Sequence, residues 1–275
     1  ARKRFGQTFP QDQAVISRIL AAATAGLSKQ SDQHLVEIGP GQGALTYPLI
    51  DELKHTPNRR LTIIELDRDL AETLRKRIAG NDQVALIEAD ALNLSFTTLA
   101  QQQGAASLTI FGNLPYNIST PLIFHLLSQA DAIEDMHFML QKEVVDRLAA
   151  GPGTSDYGRL GIMAQYWCRV EPLFIVGPGA FNPPPKVDSA IVRLVPHDTL
   201  PFPTKDITIL QNVVRQAFSM RRKTLRNTLK SMITAEQIDS LGIDSSLRPE
   251  RLSLEEYVRI ADFVADNPVA PQDAN

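Results

Sequence analysis

Cysteine is almost absent: Cys168 is the single one in 275 residues, which excludes an internal disulfide and any cysteine-rich zinc site. Long apolar runs are missing too. The most apolar-leaning stretches, such as Ala14–Leu27, are interrupted by Ser17 and Arg18 at helical spacing, so none reads as a membrane span. The opening Ala1-Arg-Lys-Arg-Phe5 lacks the apolar core of a signal peptide, and no lipidation signal closes the chain. Internal repeats and low-complexity tracts are likewise lacking. These absences lead us to expect a cytoplasmic protein without membrane contact. Positive charge is not in excess either: 28 Lys and Arg against 31 Asp and Glu give a net charge of −3, which taken alone argues against nucleic-acid binding.

The distribution of charge points the other way. Between Gln211 and Lys230 lie Arg215, Arg221, Arg222, Lys223, Arg226 and Lys230, with no acid among them, and Arg2, Lys3 and Arg4 precede the first acid, Asp12. Locally basic surfaces, rather than global charge, make phosphate-binding footprints. One such run would be read as a solvated helix face; two raise the RNA reading beside it. A 43% hydrophobic share with 21% charged residues is ordinary globular composition, and the length suggests one large domain with a smaller appendage.

From His34 the pattern is strand, turn, helix, repeated. The strands are His34–Ile38, Leu61–Glu65, Val84–Ile87 and Ser107–Phe111, and the helical stretches between them include Ala44–Leu53 and Asp69–Ala79. This alternation describes parallel βαβ units, hence an α/β, Rossmann-like fold that binds ligands at the carboxyl ends of its strands. Ala132–Leu140, Leu173–Val176 and Ser189–Val195 read as later strands, with a helix around Lys142–Ala150. The proline-rich Val195–Pro203 reads as a linker, and beyond it the pattern is helical only: Asp206–Phe218, Arg222–Ser231, Thr234–Leu241 and Leu254–Ala265. We therefore expect a catalytic domain over residues 1–198 and a small α-helical domain over 199–275.

Glu37-Ile-Gly-Pro-Gly-Gln-Gly43 is a glycine-rich strand-to-helix turn, where the backbone can approach a nucleotide-like ligand. Dehydrogenases use similar turns, although here Ala44 replaces the last glycine of a G-x-G-x-x-G pattern, a position that tolerates alanine. Two acids follow at strand ends. Glu65 can accept from ribose hydroxyls and Asp90 from an adenine amino group, whereas Asp67 and Asp69 read better as solvated or helix-capping acids. Turn, acid and acid on three successive strands specify an adenosine-containing cofactor, in the order found in S-adenosylmethionine sites.

The fourth strand ends in Asn113-Leu-Pro-Tyr116. An exocyclic adenine amine is a poor nucleophile because its lone pair is delocalised into the ring. The Asn113 side-chain oxygen and the Leu114 carbonyl are acceptors that can hold its hydrogens, Pro115 stiffens the turn, and Tyr116 offers a face on which an extruded base can stack. Such catalysis rests on positioning and electrostatics, without metal. Cytosine C5 chemistry would want a nucleophilic cysteine near this point; Cys168, in the apolar helical stretch Leu160–Cys168, reads as core. A dinucleotide-dependent oxidoreductase explains neither Asn113–Tyr116 nor the basic C-terminal stretch.

The sequence resembles the KsgA/RsmA family, the small-subunit ribosomal RNA adenine dimethyltransferases, over nearly its whole length. The residues that carry the resemblance are Arg2-Lys-Arg-Phe-Gly-Gln7, Glu37-Ile-Gly-Pro-Gly41, Ile64-Glu-Leu-Asp67, Phe111-Gly-Asn-Leu-Pro-Tyr-Asn-Ile-Ser-Thr-Pro121, Met139-Leu-Gln-Lys-Glu-Val144, Tyr157-Gly-Arg-Leu160, Phe181-Asn-Pro-Pro-Pro-Lys-Val-Asp-Ser189 and Arg221-Arg-Lys-Thr224. It implies dimethylation of N6 on two adjacent adenosines in a hairpin loop near the 3′ end of 16S rRNA, within the small (30S) subunit late in its assembly, by a monomer using S-adenosylmethionine. By position it implies cofactor contacts at Gly39, Gly41, Glu65, Asp90, Ala91 and Asn113, and a catalytic set of Asn113, Leu114, Tyr116 and Phe181, the two aromatics sandwiching the adenine. Arg221, Arg222, Lys223 and Arg226 would meet rRNA phosphates. Where the family reads Gln-Asn-Phe-Leu, this chain has Gln7-Thr-Phe-Pro10, which loses an amide that normally helps hold the cofactor. Related alternatives are the large-subunit methyltransferases of macrolide resistance, and a role chiefly in subunit assembly.

Overall fold

Strand-forming and helix-forming segments alternate along the computed structural model, which describes residues 8–25 and 32–269. The basic Arg2, Lys3 and Arg4, and with them the Arg2–Gln7 motif, lie outside these residues. The strands are β1 (Phe9–Pro10), β2 (Gln33–Ile38), β3 (Arg59–Glu65), β4 (Val84–Glu88), β5 (Leu108–Asn113), β6 (Ile133–Gln141), β7 (Cys168–Val176), β8 (Phe181–Asn182) and β9 (Ser189–Pro196). The α-helices are α1 (Gln13–Thr24), α2 (Thr46–Leu53), α3 (Arg68–Ile78), α4 (Phe96–Gln102), α5 (Tyr116–Leu127), α6 (Lys142–Ala149), α7 (Arg159–Trp167), α8 (Ile207–Ala217), α9 (Leu225–Thr228), α10 (Ala235–Ser240) and α11 (Leu254–Asp266).

Seven strands form one sheet in the order β4-β3-β2-β5-β6-β9-β7. Strands β2 to β6 pair in parallel, and β9 runs antiparallel to β6. The parallel strands are apolar on both faces, as helix-covered strands must be: Leu35, Val36, Leu61, Ile63, Leu108 and Ile110 are all buried. On one face α1 contributes Ile16, Ile19, Leu20 and Ala23, spaced along one helical stripe, to a core shared with Leu49 and Leu53 of α2. Truncating any one of the Ile or Leu side chains among them to alanine would cost roughly 2–5 kcal/mol.

Chain order reverses between β2 and β5: from β2 the chain builds outward through β3 and β4, whereas β5 lies on the other side and leads to β6. Such a switch point opens a crevice at the carboxyl ends of the two strands. Gly112 allows the close approach there, since a Cβ on it would sit 2.4 Å from the Ile38 carbonyl oxygen.

Contacts divide the chain into two compact units, residues up to Val145 with Arg169–Pro196, and Asp146–Cys168 with His197 onward. The second unit thus gathers α7, which a simple cut after residue 198 would leave with the sheet. In it Leu210, Val213 and Val214 of α8 and Tyr257, Ile260 and Ala261 of α11 are buried. Asp206 caps α8, and capping boxes at Thr234 and Ser253 start α10 and α11. The helix expected over Arg222–Ser231 is only the single turn of α9, because Met220–Lys223 closes a turn of its own and Thr224 takes the cap position. Cys168, expected at a helix end, is instead the buried first residue of β7.

Candidate active site

The turn after β2 holds Gly39 and Gly41 at positive φ, 68° and 58°. A Cβ on Gly41 would lie 2.8 Å from the Phe9 ring, so glycine is required there for space as well as for conformation. Gly39 N–H donates to the Ile64 carbonyl at 3.0 Å, which ties the turn to the end of β3. Across the switch point, the end of β5 delivers Asn113, Leu114, Pro115 and Tyr116. Both ends line a single cleft, with Thr8, Phe9 and Pro10 of the N-terminal segment and Leu140, Gln141, Pro185 and Ser189 completing its wall.

Within that cleft Asn113 is oriented by a long-range contact. Its Nδ2 donates to the Thr8 carbonyl at 3.1 Å, which fixes the amide and turns Oδ1 to the opposite side. Leu114 N–H donates to Met139 O at 3.2 Å, so the loop after β5 is held by β6. Leu114 is buried, whereas Tyr116, the first residue of α5, is 59% exposed. An acceptor-bearing turn beside an open aromatic face can hold an exocyclic amine and stack its ring.

Phe181 stands differently. It belongs to β8, which pairs antiparallel with β1 through Pro10↔Phe181 and Phe9↔Asn182. Its side chain is 5% exposed and packs in the core with Val176, Ala180 and Ile191, and it is not among the residues lining the cleft. The β1–β8 ribbon nevertheless brings the Phe181–Ser189 motif beside the cleft, since Pro185 and Ser189 line it.

Glu65, Asp90 and Ala91 do not line this cleft; they follow the neighbouring strand ends. Glu65 ends β3, and its Oε2 accepts from Asp67 N–H at 3.0 Å. Asp90 caps a short 3-10 turn over Ala91–Asn93, accepting from Leu92 N–H. Asp67 is the cap of α3, accepting from Asp69 and Leu70 N–H. Leu66, beside Glu65, is 63% exposed, an apolar surface at a strand end that the sequence offers no means of noticing.

Glu37 is a further residue of the cleft, legible in the sequence only as the letter before the glycine turn. It is 1% exposed, and it accepts a hydrogen bond from the Thr46 hydroxyl. Burial, opposed by that hydrogen bond and reinforced by the charge of Glu65, pushes its carboxyl up from 4.5 to about 8.

The basic residues of the second unit separate into two groups. Arg222, Lys223 and Arg226 are exposed. Arg221, equally exposed, is the one of them that donates from Nη2 to the carbonyls of Ser155 and Tyr157, at 2.8 and 2.6 Å, and its guanidinium lies 5.5 Å from the centre of the Phe218 ring. Among the described residues no group of three or more His, Cys, Asp or Glu side chains is arranged to hold a metal ion.

Residues 1–266 match the model of a family described as ribosomal RNA adenine dimethylase. A protein of Pseudomonas fluorescens named ribosomal RNA small subunit methyltransferase A is 58% identical over 268 residues, which cover 98% of this chain and 95% of that protein. Among solved structures, a dimethyladenosine transferase from Plasmodium falciparum is similar at 26% identity and a TM-score of 0.68, covering 92% of this chain and 95% of the other. The 23S rRNA methyltransferase ErmE shares the fold, with 24% identity, a TM-score of 0.67 and coverage of 94% and 99%.

Proposed function

This chain belongs to the ribosomal RNA adenine dimethylase family, and from that premise we propose that it dimethylates N6 of two adjacent adenosines in the 3′-terminal hairpin loop of 16S rRNA. It is an S-adenosylmethionine-dependent rRNA methyltransferase. The carrying observation is the facing of Asn113–Tyr116 and the Gly39–Gly41 turn across the β2/β5 switch point. The substrate is rRNA within the small (30S) subunit, late in its assembly, and the enzyme acts as a cytoplasmic monomer. Among the described residues no helix is long and apolar enough to cross a membrane.

The residues present fit the cofactor. Gly39 and Gly41 leave a concave backbone that a Cβ would fill, and acids stand at the ends of β3 and β4 where ribose and adenine would lie. Gly39, Gly41, Glu65, Asp90, Ala91 and Asn113 would hold it, with Leu66 as an apolar surface for the adenine. Bound there, S-adenosylmethionine supplies an electrophilic methyl group on a sulfonium. The protein's part is positioning. Asn113 Oδ1 and the Leu114 carbonyl accept the hydrogens of the target amine, aiming its lone pair into the cleft. Tyr116 stacks on the flipped base, with Phe181 as its partner once that ring's face is uncovered. No covalent intermediate is called for. Arg222, Lys223 and Arg226 contact rRNA phosphates.

The test is transfer from radiolabelled S-adenosylmethionine to small subunits lacking the modification, followed by nucleoside analysis. Label in N6,N6-dimethyladenosine is expected, and Asn113→Ala should lower the rate by roughly 10²–10³-fold, as for loss of one preorganised polar contact at a reacting centre. Label appearing in large-subunit RNA instead would overturn the substrate assignment. An Asn113→Ala protein that still binds immature subunits would separate an assembly role from catalysis.

A further inference from the structure

Strands β6 and β9 change polarity along one shared face as they reach the wall of the cleft. Met139 of β6 pairs with Ile191 of β9, and both are buried in the core that also holds Phe181. Side chains two residues apart on a strand share a face. The next pair on that face is Gln141 with Ser189, and both of these residues line the cleft. Solvation alone does not account for the change, because Ser189 is buried and Gln141 half-buried. Apolar residues would have carried the core onward without leaving polar atoms to be matched, so the polar pair points to a ligand.

The pair stands on rigid backbone. Lys142 N–H donates to the Asp188 carbonyl at 2.9 Å, which ties the ends of β6 and β9 together just beyond it. Among the described residues neither the Gln141 amide nor the Ser189 hydroxyl is engaged in a hydrogen bond. The neighbouring Asn113 motif is placed the other way. Asn113 Nδ2 is committed to the Thr8 carbonyl and Leu114 N–H to the Met139 carbonyl. What Asn113 and Leu114 leave for a base are two acceptors, which suit the hydrogens of an amine. The ring nitrogens that flank the adenine amine, N1 and N7, are acceptors themselves and want donors. An amide and a hydroxyl supply donors.

We propose that Gln141 and Ser189 are base-recognition residues, donating from Nε2 and Oγ to a ring nitrogen beside the reacting amine and so selecting adenine. The proposal rests on the reading of the chain as an adenine-N6 methyltransferase. Acceptors for the amine beside donors for the adjacent nitrogen form the complement of adenine. Guanine presents the reverse along its pairing edge, a carbonyl oxygen beside an N1–H, and would leave both sets of protein groups unmatched.

The experiment uses small subunits reconstituted with 16S rRNA that carries adenosine, 1-deazaadenosine or 7-deazaadenosine at the modified positions. Methyl transfer to each is measured with the wild type, Gln141→Ala and Ser189→Ala. The wild type should lose about two- to tenfold in kcat/KM on one of the two analogues, as for one neutral hydrogen bond. Gln141→Ala should lose about as much on adenosine and show little further loss on that analogue, because the bond is already gone. Ser189→Ala should behave in the same direction. Gln141→Glu, which keeps the shape and exchanges the donor for an acceptor, should fall below Gln141→Ala on adenosine. Cofactor affinity by titration calorimetry should be unchanged in all three variants. A merely structural role would lower the rates on all three substrates alike, so equal analogue penalties in the wild type and the variants would overturn the proposal. So would full wild-type rates on both analogues, an arm that needs no variant to fold. If the wild-type protein modifies no adenosine-bearing subunit, the underlying functional reading fails and takes the proposal with it; the two failures are told apart by that wild-type reaction.

Discussion

Glu37 makes a prediction that the fold itself supplies. It is the penultimate residue of β2, enclosed by the sheet and the start of α2, and its folded pKa of about 8 stands well above the 4.5 of an ordinary glutamate. The protonated form is favoured because burial removes water from the carboxylate and Glu65 adds a like charge, which together outweigh the Thr46 hydrogen bond. Below pH 4.5 both folded and unfolded chains hold the proton, and the group's contribution does not change with pH. As the pH rises from 4.5 to 8 the unfolded chain releases its proton and the folded chain keeps it. Stability attributable to this group is therefore full at low pH and declines across that window. At about 1.36 kcal/mol for each pH unit, the decline is about 3 kcal/mol by pH 7 and levels off near about 5 kcal/mol above pH 8. Glu37→Gln has nearly the shape of the protonated acid and can still accept from Thr46, so it lacks the decline. Urea unfolding of both proteins at pH 5.5, 7 and 8.5 isolates the effect as the difference between the two curves. The variant should gain on the wild type by several kcal/mol from the lowest pH to the highest. Parallel curves would refute the placement of a buried, neutral carboxyl beside the glycine turn. A second consequence concerns binding: a cationic group of the cofactor in the cleft would favour the carboxylate, so cofactor affinity should rise with pH in the wild type and stay flat in Glu37→Gln.

Two further substitutions separate packing from chemistry. Phe181 is buried, so Phe181→Ala should lose roughly 3–5 kcal/mol of stability whatever its role. Phe181→Leu, which keeps most of the volume, should cost under about 1.5 kcal/mol in stability. If the ring also stacks on the adenine, that variant should still lose about five- to 150-fold in kcat/KM, the equivalent of about 1–3 kcal/mol of stacking; wild-type kinetics in a folded Phe181→Leu enzyme would remove Phe181 from the catalytic set. Gly41→Ala places a methyl group 2.8 Å from the Phe9 ring at a residue with φ of 58°. Because Phe9 lines the same cleft, cofactor affinity should drop about tenfold or more by titration calorimetry, and an unchanged Kd would contradict the cradle.

The sheet was legible in the sequence because parallel strands buried on both faces are short apolar runs, and the glycine turn, the acids and Asn113–Tyr116 punctuate their carboxyl ends. Periodicity reports what a segment does to itself. It does not report what distant segments do to one another, and the site is completed by such contacts. Thr8 reads as a weakened cofactor ligand when only its side chain is considered, yet its contribution in the structure is a backbone carbonyl that orients Asn113 across 105 residues of sequence. Any residue could provide that carbonyl, so no letter signals it. Pro10, which has no backbone N–H to donate, takes its place at the pairing of β1 with β8, where it lies opposite Phe181. The same distinction divides the basic stretch. Arg221 and Arg222 are identical letters side by side and both exposed, but the Arg221 guanidinium is held by the Ser155 and Tyr157 carbonyls. Arg147 and Arg159, by contrast, lie outside any basic run, and only the folding of α7 onto its neighbours places them in one pocket with Arg221. A charge run in sequence is therefore an incomplete map of where cations gather: it includes one that holds a loop and omits others that tertiary structure brings in from elsewhere.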